Sequence, residues 1–189
     1  SLPRALTTEE VQRLEAHCAE AKRAPLRLLA MVRLALDLGL RVGEIAKLEI
    51  GDFDWRAGTV TLKRTKSQRQ DVLPLPVLTG QALAEYMRHE RPATTLPSLF
   101  VRRLAPHDKP IGVDAVSQAI GRALRGAGIS RGCHSLRHTL ACRLVNSGSS
   151  IKEVADVLRH RSLDTSLIYA KLDLQLLAEV ALPWPGSAS

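Results

Sequence analysis

The stretch "FDWRAGTVTLKRTKSQRQDVLPLP", residues 53–76, decides the fold. Around it, apolar residues recur at the three- and four-residue spacing of helices. Within it, short β-branched runs are separated by polar turns, a strand signature. The pattern predicts strands near 53–55, 59–64 and 71–75, forming a small antiparallel sheet. The segment "TKSQRQ", residues 65–70, is the loop between the last two.

Working outward toward the N-terminus, Thr7 precedes Glu10 by three residues, a capping-box pattern. Val11, Leu14 and Cys18 follow at helical spacing. Pro25 suits the first turn of a second helix through "LRLLAMVRLALDL", which Gly39 ends. "RVGEIAKL", residues 41–48, predicts a short third helix. Toward the C-terminus, "VLTGQALAEYMRHER" returns to helix, and a long proline-containing connection carries a short strand at Leu99–Val101. Asp114 is expected to cap "AVSQAIGRALRGAG". Helices are predicted at 134–147, 150–158 and 163–170, then an amphipathic segment "DLQLLAEVAL". The fold class is therefore α+β, mostly α-helical, with one small three-stranded antiparallel sheet. One domain is expected over residues 1–182, with a tail over 183–189.

Lys and Arg number 27 against 19 Asp and Glu, a net charge of +8, which favours a polyanionic partner. Aromatics are only 3%, too few for a protein that stacks unpaired bases, so if the polyanion is a nucleic acid, backbone charge on a duplex is the expected target. Cys18, Cys133 and Cys142 are odd in number and form no CxxC, which argues against a disulfide framework and a zinc site. The longest apolar region is broken by Arg27, Arg33 and Asp37, so no membrane span is expected and a cytoplasmic protein is. The chain begins with Ser rather than Met and reads as a fragment.

Several residues suit phosphate chemistry. His134 and Arg137 are three apart on one helix face near a helix N-terminus, either a phosphate ligand pair or a solvated polar face. His138 falls outside that row. Arg41 sits between Leu40 and Val42, an apolar setting, with Glu44 three residues on. The two form either a structural pair or a phosphate clamp steered by the carboxylate. Lys66 lies in the hairpin loop, where most lysines are merely solvated and where a proton donor could also reach into a groove. "VLRHRSLDTSLIYAKL", residues 157–172, holds His160 and Tyr169, one of only two tyrosines.

"GLRVGEIAKL", "TLKRTKSQRQDVLPLP", "HSLRHTLA" and "LRHRSLDTSLIYAKL" resemble, in order and spacing, the catalytic domain of the tyrosine recombinases, the phage-integrase family, over most of residues 5–175. The resemblance implies that Arg41 and Arg137 bind the scissile phosphate and that Glu44 supports Arg41. It implies that Lys66 protonates the leaving 5′-oxygen and that His134 assists proton transfer. His160 would hydrogen-bond the phosphate, and Tyr169 would be the nucleophile of a 3′-phosphotyrosyl link. No metal or cofactor is implied, and the setting would be the prokaryotic nucleoid. Self-association on DNA, as a tetrameric synapse joined through the C-terminal helix, is a further expectation.

The chain departs from the family where a glycine often precedes the late histidine, since Arg159 stands there and Arg161 follows. Both are candidate phosphate contacts or turn residues. The loop "RTKSQR" lacks the glycines that often flank the catalytic lysine, which makes Lys63 a second candidate. The N-terminal core-binding domain usual in the family is not represented. Arg64, Arg69, Ser117, Gln118 and Arg122 are candidate DNA contacts. A helix-turn-helix regulator would explain residues 149–172 and the charge but not Arg41, Lys66, His134 and Arg137. A metal nuclease built on Asp52 and Asp54 lacks a third ligand, and a type IB topoisomerase shares the cleavage chemistry.

Overall fold

The computed structural model describes residues 4–63, 70–104 and 109–159. Arg64, Lys66, Arg69, His160, Arg161, Tyr169, the helix at 163–170 and the amphipathic segment beyond it lie outside the described residues.

Helix α1, Thr8–Ala19, begins with the expected reciprocal cap. Thr7 Oγ1 accepts from the Glu10 amide at 3.2 Å, and Glu10 Oε2 accepts from the Thr7 amide at 2.9 Å. Its apolar row of Val11, Leu14 and Cys18 is buried. Helix α2, Pro25–Asp37, is the axis of the core. It buries Met31, Leu34, Ala35 and Leu36 and packs against α1, α4 (Val77–His89), α5 (Val113–Gly126) and α6 (His134–Asn146). The chain leaves α2 through Gly39, whose φ of +59° strains any other residue. A Cβ there would lie 2.8 Å from Leu158 Cδ2 and 3.0 Å from Leu140 Cδ2, so glycine is required twice over.

A short helix α3, Val42–Lys47, and a 3₁₀ turn, Ile50–Asp52, lead into the sheet. Strands β1 (Phe53–Asp54), β2 (Thr59–Lys63) and β3 (Gln70–Pro74) pair antiparallel in the order β1-β2-β3. Val60 opposes Leu73 and Leu62 opposes Asp71. Val60 and Leu62 are buried while Lys63 is exposed, the alternation expected of a half-buried strand.

Two expectations are corrected. Leu99–Val101 forms no strand; the segment makes isolated bridges, Glu49 with Ser98 and Val101 with Pro110, because its own side chains are core residues. Asp114 does not cap α5. Gly112 is the N-cap, and Asp114 sits inside the first turn, where its charge complements the helix dipole.

Helix α7, Ile151–Val157, the last among the described residues, is capped by Ser150 and packs on α6 as a small separate cluster of Ala141, Val154 and Leu158, joined by Leu140 and Leu144. The every-fourth-residue row Leu136, Leu140, Leu144 thus divides between two hydrophobic clusters, with Leu136 in the main core.

Candidate phosphate site

Three segments far apart in sequence meet around the Gly39 carbonyl: the α2–α3 junction, the first turns of α6 and the end of α7. Arg137 enters from α6 and is 5% exposed. Its guanidinium donates to the carbonyls of Gly39 and Leu158. A charge buried this deeply needs such partners, and the two carbonyls hold the fork in one orientation.

Arg41 is the N-cap residue of α3. The expectation of an apolar setting is corrected: its side chain is 41% exposed, because its chain neighbours turn inward while the N-cap position projects outward. Nη1 donates to Glu44 Oε1 at 3.2 Å, and Nη2 reaches the Arg159 carbonyl at 3.5 Å. The backbone at 158–159 is therefore held by two arginines, Arg137 at Leu158 and Arg41 at Arg159.

Glu44 is the acidic centre of the cluster. Its Oε2 accepts from the Arg41 amide at 2.7 Å and from Arg159 Nη2 at 2.9 Å. Burial pushes this carboxyl up, but Arg159, the Arg41 amide and the Arg41 guanidinium together outweigh burial and hold it below the usual carboxylate range. Arg159 completes the group. The structure gives it the turn role rather than an outward contact: it is 5% exposed with φ +55°. Three guanidinium groups around one carboxylate leave the cluster with excess positive charge, the electrostatic requirement for an anion.

His134 opens α6 and is exposed, whereas Arg137, one turn on, is buried, so the pair presents a histidine at the surface above an arginine within. His138 lies outside the row, as its spacing requires. It is buried, with Nε2 3.4 Å from Cys142 Sγ, and burial chiefly, then His134, lowers its pKa.

Lys63 is held elsewhere. Its ammonium lies 2.9 Å from Asp52 Oδ1 and 3.0 Å from Glu49 Oε2, and these carboxylates raise its pKa. A lysine with its proton held by two anions is a poor acid. Asp52 Oδ2 also accepts from the Glu49 amide, and Asp54 Oδ1 caps the amides of Arg56 and Ala57. The two aspartates are thus occupied in turns. Among the described residues no group of three or more His, Cys, Asp or Glu side chains could hold a metal.

Ser117 and Gln118 do not share a face of α5. Ser117 is half-buried with its carbonyl 3.4 Å from Cys133 Sγ, whereas Gln118 and Arg122 form an exposed row. Arg122 lines a cleft of about 960 Å³ together with His17, Lys22, Arg23, Arg27 and Arg103. Burial, then Arg103 and Arg122, lower the Arg27 pKa despite opposing contributions from Tyr86 and Glu90. Sequence reasoning missed this basic cleft, because its arginines come from the α1–α2 connection, α2, the α4–α5 connection and α5 and share no periodicity.

The second tyrosine, Tyr86, is fully buried. Its hydroxyl donates to the Leu99 carbonyl at 3.3 Å, and burial pushes its pKa up to about 12. Such a phenol can neither reach DNA nor ionise readily.

The model of the phage integrase family matches residues 4–175, a span that takes in Arg41, Glu44, His134, Arg137 and Tyr169. The chain belongs to the phage integrase family. Among its relatives, tyrosine recombinase XerA of Pyrococcus furiosus is 30% identical over 179 residues, which cover 95% of this chain and 61% of that protein. A Sinorhizobium fredii protein named as an integrase/recombinase, y4rA, is 38% identical over 191 residues, 100% of this chain and 46% of its own length. This member of the family thus spans about half the length of the first curated relatives it matches. A crystal structure of XerA recombinase has the same fold, with a TM-score of 0.79 at 24% identity, covering 97% of this chain and 66% of that one. XerH site-specific recombinase bound to palindromic difH substrate, a post-cleavage complex, also gives 0.79, at 25% identity, covering 97% and 54%.

Proposed function

We propose that this phage-integrase-family chain cuts and rejoins double-stranded DNA through a 3′-phosphotyrosyl intermediate, as the catalytic domain of a site-specific recombinase over residues 1–182. One observation carries the reading: Arg41, Glu44 and Arg137, singled out for phosphate chemistry, meet at the ends of α2 and α7. The XerH site-specific recombinase structure, described as a post-cleavage complex bound to palindromic difH substrate, supports it by analogy.

In this reading the Tyr169 phenolic oxygen attacks the scissile phosphorus and loses its proton with help from His134. The phosphorus–5′-oxygen bond breaks, and Lys66 protonates the leaving oxygen. Arg41 and Arg137 neutralise the non-bridging oxygens as charge builds in the pentacoordinate transition state, and His160 adds a hydrogen bond there. The burial of Tyr86 supports Tyr169 as the nucleophile, since the sequence offers no third tyrosine. The phosphotyrosyl ester keeps the bond energy, so a 5′-hydroxyl from another strand reverses the step without an added energy source. Arg137 must share its N–H groups between phosphate and backbone; a guanidinium with five donors has enough for both.

Gln118, Arg122 and the basic cleft would meet the DNA backbone, with Arg64, Arg69 and Arg161 near the cleavage point. The C-terminal helix would link protomers in a tetrameric synapse. No described helix is long and apolar enough to cross a membrane, and a cytoplasmic, nucleoid-associated setting fits DNA as substrate. The test is a duplex nicked just beyond the cleavage position, so that a short fragment diffuses away and traps the covalent complex. A protein–DNA band that survives denaturation and chelator is the expected result. Tight binding without that band would instead favour a regulator that only binds.

A further inference from the structure

Arg159 occupies a position that suits glycine, and it is neither solvated nor idle. Its φ of +55° is costly for a side-chain-bearing residue, and its guanidinium is 3% exposed. Nη2 donates to Glu44 Oε2 at 2.9 Å and to the Gly39 carbonyl at 3.4 Å, and Nη1 donates to the Val157 carbonyl at 3.0 Å. Nε is buried with no partner among the described residues. A strained backbone and a buried charge at one residue persist only where the surroundings over-determine them.

The consequence falls on Arg41. Its guanidinium is well exposed, and its contacts to the rest of the protein run to Glu44, the ion-pair partner of Arg159, and to the Arg159 carbonyl. We propose that Arg159 is a positioning residue: by gripping Glu44 and the Gly39 carbonyl it fixes both restraints on Arg41 and so presets that arginine for a phosphate group. This rests on the recombinase reading for its functional meaning. It also revises the role of Arg159, which acts through Arg41 rather than on DNA. Glu44 divides its oxygens accordingly, Oε1 toward the Arg41 guanidinium and Oε2 toward Arg159 and the Arg41 amide. A glycine at position 159 would satisfy the backbone but leave Oε2 without its guanidinium partner. Glu44 would then be free to swing toward Arg41 and draw it away from the phosphate.

The experiment compares the full chain with Arg159→Gly, Arg159→Lys, Glu44→Gln and the double variant Arg159→Gly/Glu44→Gln. Single-turnover cleavage of the nicked duplex is measured at saturating protein, beside duplex affinity and thermal midpoint. Arg159→Gly should slow cleavage by about 10- to 100-fold, the scale of a small misplacement of a catalytic group. Duplex affinity should hold within about twofold, because Arg159 itself touches no phosphate. Arg159→Lys should recover part of the rate, and the double variant should be little slower than Glu44→Gln, since both act through one contact. A cleavage-independent arm follows the Arg41 Nε–H signal and the Glu44 carboxyl by NMR. In Arg159→Gly the Arg41 signal should broaden toward its solvent-averaged value and Glu44 should titrate at higher pH. Wild-type cleavage in Arg159→Gly, additive losses in the double variant, or unchanged Arg41 and Glu44 signals would each overturn the proposal. If the unmodified chain forms no adduct, the recombinase reading fails instead, and the two NMR signals alone decide whether Arg159 fixes Arg41.

Discussion

Replacing Gly39 by alanine tests how the fold builds the candidate phosphate site. Two costs add. The left-handed φ of +59° costs an alanine about 1 kcal/mol relative to glycine. The new Cβ would also stand 2.8 and 3.0 Å from two leucine methyl groups, one on α6 and one just beyond α7. Relief requires α7 to shift, and overpacking of this kind costs about 1–3 kcal/mol. The sum is about 2–4 kcal/mol, a fall in thermal midpoint of about 4–16 °C for a chain of this size. Gly58 supplies the control, because its φ is +66° but nothing lies within 4 Å of its would-be Cβ. Gly58→Ala should therefore lose only the backbone part, about 1 kcal/mol or 2–4 °C. Urea and thermal unfolding of both variants measure the difference. Cleavage should fall in Gly39→Ala and not in Gly58→Ala, since the Gly39 carbonyl anchors Arg137 and Arg159. Equal losses of stability in the two variants, or a harmless Gly39→Ala, would refute the claim that close packing at this corner holds the arginines.

Other outcomes follow from the same geometry. Arg41→Ala and Arg137→Ala should each cut the cleavage rate by about 10²-fold or more, but only Arg137→Ala should also destabilise. Its removal strands the buried Leu158 carbonyl at about 1–3 kcal/mol and leaves the Gly39 carbonyl only the longer bond from Arg159, whereas Arg41 is an exposed pair member worth less than about 1 kcal/mol; equal unfolding midpoints would contradict this. For His138 the folded pKa is lowered, so the unfolded chain takes up the proton first as pH falls. The stability from the neutral buried ring is complete above about pH 6.5 and is lost as pH drops through the lower folded value. Thermal midpoints across that window should decline, and less so in His138→Gln; identical pH profiles would count against the assignment. Arg103→Ser/Arg122→Ser should reduce the slope of log affinity against log salt by about 1–2 if the basic cleft meets duplex phosphates. An unchanged slope would remove the cleft from the DNA surface.

The described helices and the sheet were legible because their signals are local. The Thr7–Glu10 cap, the Pro25 and Gly39 boundaries and the alternation in β2 each depend on residues within a few positions. Asp114 misled because a residue that favours N-caps is also stable inside the first turn, and Leu99–Val101 because a buried apolar run need not pair as a strand. At the candidate site, motif order singled out Arg41, Glu44 and Arg137, which the fold brings together, but not their environments. Exposure of Arg41 and burial of Arg159 depend on a contact between residues 115 apart in sequence, Glu44 and Arg159. No period or spacing encodes that contact. The pairing of Lys63 with Asp52 and Glu49, eleven and fourteen residues upstream, was likewise not written in any local spacing.

The central claim is covalent chemistry at one tyrosine. The most direct measurement is proteolysis of the adduct trapped on a nicked duplex, with mass spectrometry of the peptide left on the DNA. A single modified peptide containing Tyr169 is expected, with the phosphate on its phenolic oxygen and no adduct from Tyr169→Phe. A modified peptide from any other position, or an adduct that persists in Tyr169→Phe, would contradict the account.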